Sequence, residues 1–407
     1  MDIMIFDDDA HYAEMVYEIC ATEGYTVEKH PDGGRALELI RAARPRLVLL
    51  DVMMPGMDGM SICRALKGDP RLAALHVVVA SAKAFPEDAE AARASGATEF
   101  MDKTHAGSRL RPLLQRLLGA AAPAAAPAPA ADRPPAFQVR VWGAHGGPGV
   151  SPENPTSCVS LHFGDRLVIL DAGTGLEGLC ALPAPAHKEI WLLLTHYHPS
   201  HIAGLGRLGT AFGPDYTLNI AGPADGRRPL DKVLAGALSA TQGRTAAKLK
   251  LFTITESTFG VLPDVQARML FCFHPGAALG FRLTHQGRSL VYCPDNEIET
   301  VSEERIATDF AEKLSLFVRS ADVLIHDAAY TQSQTPPDAG RRGHSSCEAA
   351  VDLARREGVR RLLLFHSSPG FPAPAQAGVL DGIRRKLKED GSSLVVECAA
   401  PGMRIAV

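Results

Sequence analysis

Short apolar runs recur along the chain, and over the first 118 residues they alternate with segments whose apolar positions repeat at helical spacing. Ile3–Phe6, Thr26–Lys29, Leu47–Leu50, Val77–Ala80 and Thr98–Met101 read as strands, with amphipathic helices between them and a last one near Ser108–Leu118. This alternation predicts a parallel sheet covered on both faces, an α/β unit of doubly wound (βα)5 type. Beyond residue 137 the pattern changes. Phe137–Trp142, Ser157–Phe163 and Leu167–Leu170 are short strands joined by Gly/Pro-rich turns, as in hairpins. Ile190–Leu194 is wholly apolar and reads as a buried strand. Between the two regimes, residues 119–136 are Ala/Pro-rich, a composition that neither continues a helix nor packs. They predict a semi-rigid spacer between a module at 1–118 and one at 137–407.

Polar residues gather where the apolar runs end. Asp7, Asp8 and Asp9 follow the first strand, Asp51 the third and Lys103 the fifth. Ligands of parallel sheets sit at strand carboxyl ends, and clustered carboxylates invite a hard divalent cation such as Mg²⁺. A carboxylate beside Mg²⁺ and a lysine can accept a phosphoryl group, because both cations stabilise the transferring oxygens. In the second module, His196-Tyr197-His198-Pro199-Ser200-His201 follows Ile190–Leu194. Three imidazoles just beyond a strand end point to a metal, since neutral imidazole is the commonest protein ligand. The same arrangement recurs at His274, Asp295 and His366, each after an apolar run. Asp171, at the end of Leu167–Leu170, is suited to hydrogen-bond a metal-held imidazole.

Composition narrows the possibilities. A length of 407 residues suggests two or three domains, with 46% hydrophobic and 22% charged residues giving sizeable cores in a soluble chain. No run approaches the ~18 apolar residues that cross a bilayer, and the start lacks the basic segment of a secretory signal. Membrane contact is therefore not expected. The eight cysteines form no Cys-x-x-Cys pair, so reduced thiols and a cytoplasmic location are expected rather than a disulfide framework or zinc ribbon. Residues 1–118 carry 14 Lys/Arg against 18 Asp/Glu, which accounts for the whole net charge of −4 and leaves the remainder neutral. Neither part has the basic excess of a dedicated nucleic-acid binder.

The first module resembles a response-regulator receiver domain over its whole length. Asp51 in Leu-Leu-Asp-Val-Met-Met-Pro-Gly-Met-Asp-Gly matches that family's phosphoacceptor, and Asp7 and Asp8 match its metal-binding acids. Ser81 matches the switch hydroxyl, Phe100 the switch aromatic and Lys103 the invariant lysine, while Thr104 replaces the usual proline. The resemblance implies Mg²⁺ at phosphorylation and a sensor histidine kinase as partner.

From Val139 to Pro369 the chain resembles metallo-β-lactamase-fold hydrolases of the branch that includes ribonuclease Z and the cyclic phosphodiesterases. The likeness rests on Val141-Trp142-Gly143, Thr156-Ser157-Cys158, Asp171-Ala172-Gly173-Thr174-Gly175, His274-Pro275-Gly276 and Tyr292 with Asp295-Asn296-Glu297. It continues through His326-Asp327-Ala328-Ala329-Tyr330, Gly343-His344-Ser345-Ser346 and Leu364-Phe365-His366. The resemblance implies an αββα sandwich with one or two divalent ions, zinc or else manganese or iron. His196, His198 and His274 would hold one ion, and His201 and His366 the other, with Asp295 bridging. His344 would protonate the leaving oxygen, oriented by Asp327. The implied substrate is a small or cyclic phosphodiester, under control of Asp51, and a homodimer is compatible with it.

Departures surround the same edge. Ser200 stands where that family carries an aspartate, His145 where it carries arginine, and Glu153-Asn154-Pro155 and Ser367-Ser368-Pro369 depart from its loops. A neutral hydroxyl is a poor metal donor, so a weaker second site is expected. Two other outcomes follow: a metal-binding output module that binds a ligand or partner without turnover, or a thioester or lactone hydrolase.

Overall fold

The computed structural model describes residues 1–82, 86–103, 106–119, 136–147, 153–240, 246–254, 258–298, 304–334, 343–366 and 373–407. The Ala/Pro spacer except Gly119 and Ala136, Thr104, and Ser367-Ser368-Pro369 lie outside them. The chain divides into two compact units, Met1–Arg133 and Pro134–Val407.

The first unit is a parallel sheet of β1 (Ile3–Phe6), β2 (Val27–His30), β3 (Leu47–Asp51), β4 (His76–Ser81) and β5 (Glu99–Asp102), in the order β2-β1-β3-β4-β5. The inner strands are buried on both sides, as their unbroken apolar runs predict. The second strand begins one residue later than the sequence suggests, because the Thr26 N–H is taken by the Asp2 carboxylate at 3.0 Å. Helix Gly59–Lys67 starts where Asp58 caps it, its Oδ1 accepting from Ser61 N at 2.9 Å. The strand order turns around between β1 and β3, which opens a crevice at their carboxyl ends.

The second unit holds two sheets. One contains β6 (Gln138–Gly143), β7 (Cys158–Phe163), β8 (Arg166–Leu170), β9 (Glu189–Leu193), β10 (Thr217–Pro223) and β11 (Lys248–Ile254). The other contains β12 (Thr258–Leu262), β13 (Val265–Phe271), β14 (Leu279–His285), β15 (Arg288–Cys293), β16 (Val323–Asp327), β17 (Arg361–Phe365) and β18 (Val395–Cys398). A last strand, β19 (Arg404–Ala406), returns to pair with β6. Each sheet begins as antiparallel hairpins and continues as parallel strands joined through helices. The hairpins expected over Phe137–Leu170 are the antiparallel β6, β7 and β8.

Inner faces meet in one core that joins Val139, Leu161 and Val168 of the first sheet to Phe281, Tyr292, Ile325 and Phe365 of the second. Helices Glu304–Val318, Cys347–Arg356 and Ala373–Glu389 cover the outer face of the second sheet. Leu176–Cys180 and Leu230–Ala240 cover that of the first. The result is the four-layer αββα sandwich. Strands β13, β15, β16 and β17 run in one direction, so their carboxyl ends lie along a single edge.

Candidate functional site

In the first unit, β1, β3 and β5 deliver Asp7, Asp51 and Lys103 to the crevice. Lys103 Nζ lies 2.8 Å from Asp7 Oδ2 and 2.9 Å from Asp51 Oδ1. Asp7, Asp8 and Asp51 each present an oxygen within 4.8 Å of the others. One ammonium among three acids leaves a negative pocket that suits a divalent ion. Ser81 is buried at the end of β4, and Phe100 packs half-buried against the core of the unit. Burial pushes the Asp7 carboxyl up to about 6, against the pull of Lys103. The metal-free protein therefore holds a proton on Asp7 below that pH, which Mg²⁺ must displace. Mg²⁺ affinity, measured by calorimetry, is expected to be flat above pH 7 and to fall about tenfold per unit below pH 6.

In the second unit, the loop after β9 carries His196, His198 and His201, and the segment after β13 carries His274. His196 Nε2 lies 3.0 Å and His274 Nε2 3.1 Å from His198 Nδ1. Burial pulls His198 down to about 4, holds His196 well below the usual imidazole range and also lowers His274. All three are neutral at pH 7. Two of the outer nitrogens are engaged: His274 Nδ1 donates to the Gly343 carbonyl at 2.9 Å, and His196 Nδ1 meets Thr195 Oγ1 at 3.1 Å. Thr195 in turn donates its hydroxyl to Asp171 at 2.9 Å. Lone pairs are thus turned inward. Tetrahedral zinc at ~2.0–2.1 Å from each nitrogen sets them ~3.3–3.4 Å apart, within a few tenths of an ångström of the two separations from His198 Nδ1.

A second cluster adjoins the first. His201, fully buried, donates from Nδ1 to Asp171 Oδ2 at 2.7 Å, and its Nε2 lies 2.8 Å from Asp295 Oδ2. Burial opposes a charge there, but Asp295 and Asp171 outweigh it and push His201 up to about 10. A proton or another cation must sit between Nε2 and that carboxylate. Against its own burial, His366 and His201 hold Asp295 well below the usual carboxylate range. His366 Nδ1 is 3.3 Å from Asp295 Oδ1, yet His366 Nδ1 and Asp295 Oδ2 are buried without an aligned hydrogen bond among the described residues. Two imidazoles converging on one buried carboxylate fit a cation. Beside them, His344 Nδ1 donates to Asp327 Oδ2 at 2.6 Å. Burial again opposes the charge, but Asp327 raises His344 to about 9.

The structure thus brings together every histidine and both aspartates expected at the edge. Asp171 touches His201 and lies outside the donor clusters. Ser200 is buried in the one-turn helix Pro199–Ile202 and brings no carboxylate. Both Asp171 and His366 have left-handed backbones, with φ of 57° and 65°, conformations costly for non-glycine residues and common where function over-determines geometry.

Several positioning roles escape sequence reasoning, which names Tyr292 and Asn296 only as part of the family likeness. The Tyr292 hydroxyl donates to Asp171 Oδ2 at 3.0 Å, tying the second sheet to the first. Asn296 donates its backbone N–H to Asp327 Oδ2 at 3.1 Å and accepts from Phe273 N at 3.0 Å. The backbone at Gly146 runs so close to His366 that a Cβ there would stand 2.0 Å from the ring Nε2. Gly146→Ala is expected to evict His366 from the cluster and cut metal bound at the second position at least tenfold, with the fold kept, as read by metal analysis and circular dichroism.

Comparison with known proteins agrees with both units. The response regulator receiver domain family matches residues 3–115, and the beta-lactamase superfamily domain matches residues 166–367. The DNA-binding response regulator MtrA of Mycolicibacterium paratuberculosis is 39% identical over 101 residues, covering 25% of this chain and 44% of that protein. The transcriptional regulatory protein CseB of Streptomyces avermitilis is 32% identical over 136 residues, covering 32% of this chain and 57% of that protein. The chain therefore spans less than two thirds of these curated relatives. The crystal structure of the metallo-beta-lactamase fold protein YhfI from Bacillus subtilis aligns with TM-score 0.50 and 24% identity, over 66% of this chain and 98% of that one. At that identity the likeness speaks for the fold. With the (βα)5 unit matched by one family and the αββα sandwich by the other, the chain carries a response regulator receiver domain followed by a domain of the beta-lactamase superfamily.

Proposed function

We propose that this chain is a two-component response regulator whose output domain is a metal-dependent hydrolase of small or cyclic phosphodiesters. The observation that carries the reading is the convergence of His196, His198 and His274 on one point and of His201 and His366 on Asp295 beside it, next to the His344–Asp327 pair at 2.6 Å. His196, His198 and His274 would hold one divalent ion, and His201, His366 and the shared Asp295 a second. Three imidazoles favour zinc, with manganese or iron as alternatives. Ions held there supply charge stabilisation at the phosphoryl oxygens and a nucleophile at neutral pH.

The chain's own residues do the rest. Asp171 holds a proton on His201 Nδ1, and the Gly343 carbonyl does the same for His274, so each Nε2 is the atom left to face an ion, which at His201 would take the place of the second proton. His344, charged at pH 7, gives a proton to the leaving oxygen as the P–O bond breaks, and Asp327 fixes its ring. In the receiver, Asp51 accepts the phosphoryl group from a sensor histidine kinase while Asp7 and Asp8 hold Mg²⁺. Lys103, Ser81 and Phe100 then carry the change to the output domain.

Zinc- or manganese-loaded protein should hydrolyse bis-p-nitrophenyl phosphate and a 2′,3′-cyclic nucleotide, and acetyl phosphate should change that rate only while Asp51 is intact. Asp51→Asn is the control. Absence of turnover on both substrates overturns the enzymatic reading. Ser200 favours one alternative, a metal-binding module without turnover. Ser200→Asp separates the two, since a gain in metal content together with rate marks an under-liganded enzyme. A gain in metal content alone marks the binding module.

A further inference from the structure

On the outer face of the first sheet, beside the β7–β8 turn, a cleft of about 270 Å³ opens. It lies at the end of β8 opposite Asp171 and shares no residue with the metal-binding clusters. That is slightly below the ~300–1,000 Å³ of sites for drug-sized ligands, so the cleft suits a compact one. Its walls are apolar: Leu167, Leu179, Leu182 and Phe212. Leu182 is 44% exposed, an aliphatic side chain left open to water at the rim.

The remaining wall is polar and ordered. Elsewhere this face of the sheet packs apolar side chains under helices, but β6 and β7 present Arg140, Trp142, Ser160 and His162 to it. Trp142 Nε1 donates to Ser160 Oγ at 2.8 Å, and Ser160 Oγ lies 2.9 Å from His162 Nε2. That chain fixes the His162 ring and leaves Nδ1 as its remaining polar atom. Arg140 Nε donates to Gln138 Oε1 at 2.8 Å. Among the described residues its two terminal nitrogens meet no acceptor. A guanidinium held at one nitrogen, with its fork uncommitted beside an apolar wall, is a pre-organised carboxylate receptor. Burial, with Arg140 and Arg404 nearby, lowers His162 to about 4, so the ring stays neutral and Arg140 is the cation among the residues that line the cleft. Asp165, exposed on the rim, disfavours a dianion such as a phosphomonoester.

We propose that this cleft binds a compact monocarboxylic acid with an aromatic or branched aliphatic body, its carboxylate on Arg140 and its body against Leu167, Leu179, Leu182 and Phe212. The site is separate from the metal edge and independent of the hydrolase reading.

The test uses the full chain, with 3-phenylpropanoate as probe and the neutral 3-phenylpropan-1-ol as control, titrated by calorimetry and ligand-observed NMR. The acid is expected to bind at least tenfold more tightly than the alcohol. Arg140→Gln should erase that preference, and Leu182→Glu should abolish binding of both. His198→Ala should leave acid binding unchanged, because a carboxylate chelating metal would be lost with that ligand. Equal binding of acid and alcohol to the wild type, no binding of either, or loss in His198→Ala with retention in Arg140→Gln overturns the proposal. An unchanged melting temperature in Arg140→Gln shows that the variant is folded.

Discussion

His198→Ala is expected to remove one metal ion per chain and lower hydrolysis of bis-p-nitrophenyl phosphate by about three orders of magnitude. His198 Nδ1 lies between the Nε2 atoms of His196 and His274, at 3.0 and 3.1 Å, so its loss would leave that ion two imidazoles and the shared Asp295 carboxylate. Charge stabilisation by a metal is worth several kcal/mol at the transition state. Losing ~4 kcal/mol corresponds to about a thousandfold in rate. The substitution does little to the fold, because His198 is only half-buried. Elemental analysis and steady-state kinetics on one preparation check the two effects together. Metal loss without rate loss would place the chemistry elsewhere.

His344→Ala is expected to have the second-largest effect, and one that depends on the leaving group. A positioned general acid contributes about 10²- to 10⁴-fold when the departing oxygen needs a proton. An alkoxide from a 2′,3′-cyclic nucleotide needs one, whereas p-nitrophenolate does not. The variant should therefore lose 10²- to 10⁴-fold on the cyclic nucleotide and less than tenfold on bis-p-nitrophenyl phosphate. Equal losses on both would mean that His344 holds the site together rather than donates. The wild-type rate on the cyclic nucleotide should fall as pH rises through about 9, where Asp327 no longer keeps the His344 proton in place. The sign for stability is the same. A raised imidazole pKa contributes fully below the unfolded value near ~6.5 and fades as pH climbs through about 9.

Much of this was legible without coordinates, for physical reasons. Buried parallel strands must be apolar throughout, so Leu47–Asp51 and Arg361–Phe365 announce themselves, and the polar residue where each run stops marks a site. Donor residues are chemically distinctive, which is why His196, His274, Asp295 and His366 stood out. What stayed hidden were the contacts that aim them. Tyr292 reaches Asp171 across 121 positions, and its hydroxyl reads as an ordinary strand aromatic. Thr195 and Asn296 look like loop filler until their hydrogen bonds are seen. Gly146 sits in a glycine-rich stretch, where its particular duty, leaving space for His366, cannot be told from its neighbours'. The parallel strands Thr217–Pro223 and Lys248–Ile254 alternate polar and apolar residues over their first four positions, but no candidate site residue follows either to single it out.

The donors divide evenly between the two sheets: His196, His198 and His201 follow β9, while His274, Asp295 and His366 follow β13, β15 and β17. Neither trio of metal-facing atoms is completed within one sheet, since His196 and His198 need His274, and His201 needs Asp295 and His366. Contacts so distant in sequence form late in folding, after costly loop closures. A nascent or half-folded chain can thus offer an ion at most a local His-x-His, a weak hold. On the proposed reading, tight capture would wait for the sheets to dock, and the ion would then be a latch on the finished sandwich rather than a template for it. Metal occupancy would then report, molecule by molecule, which chains have completed their fold.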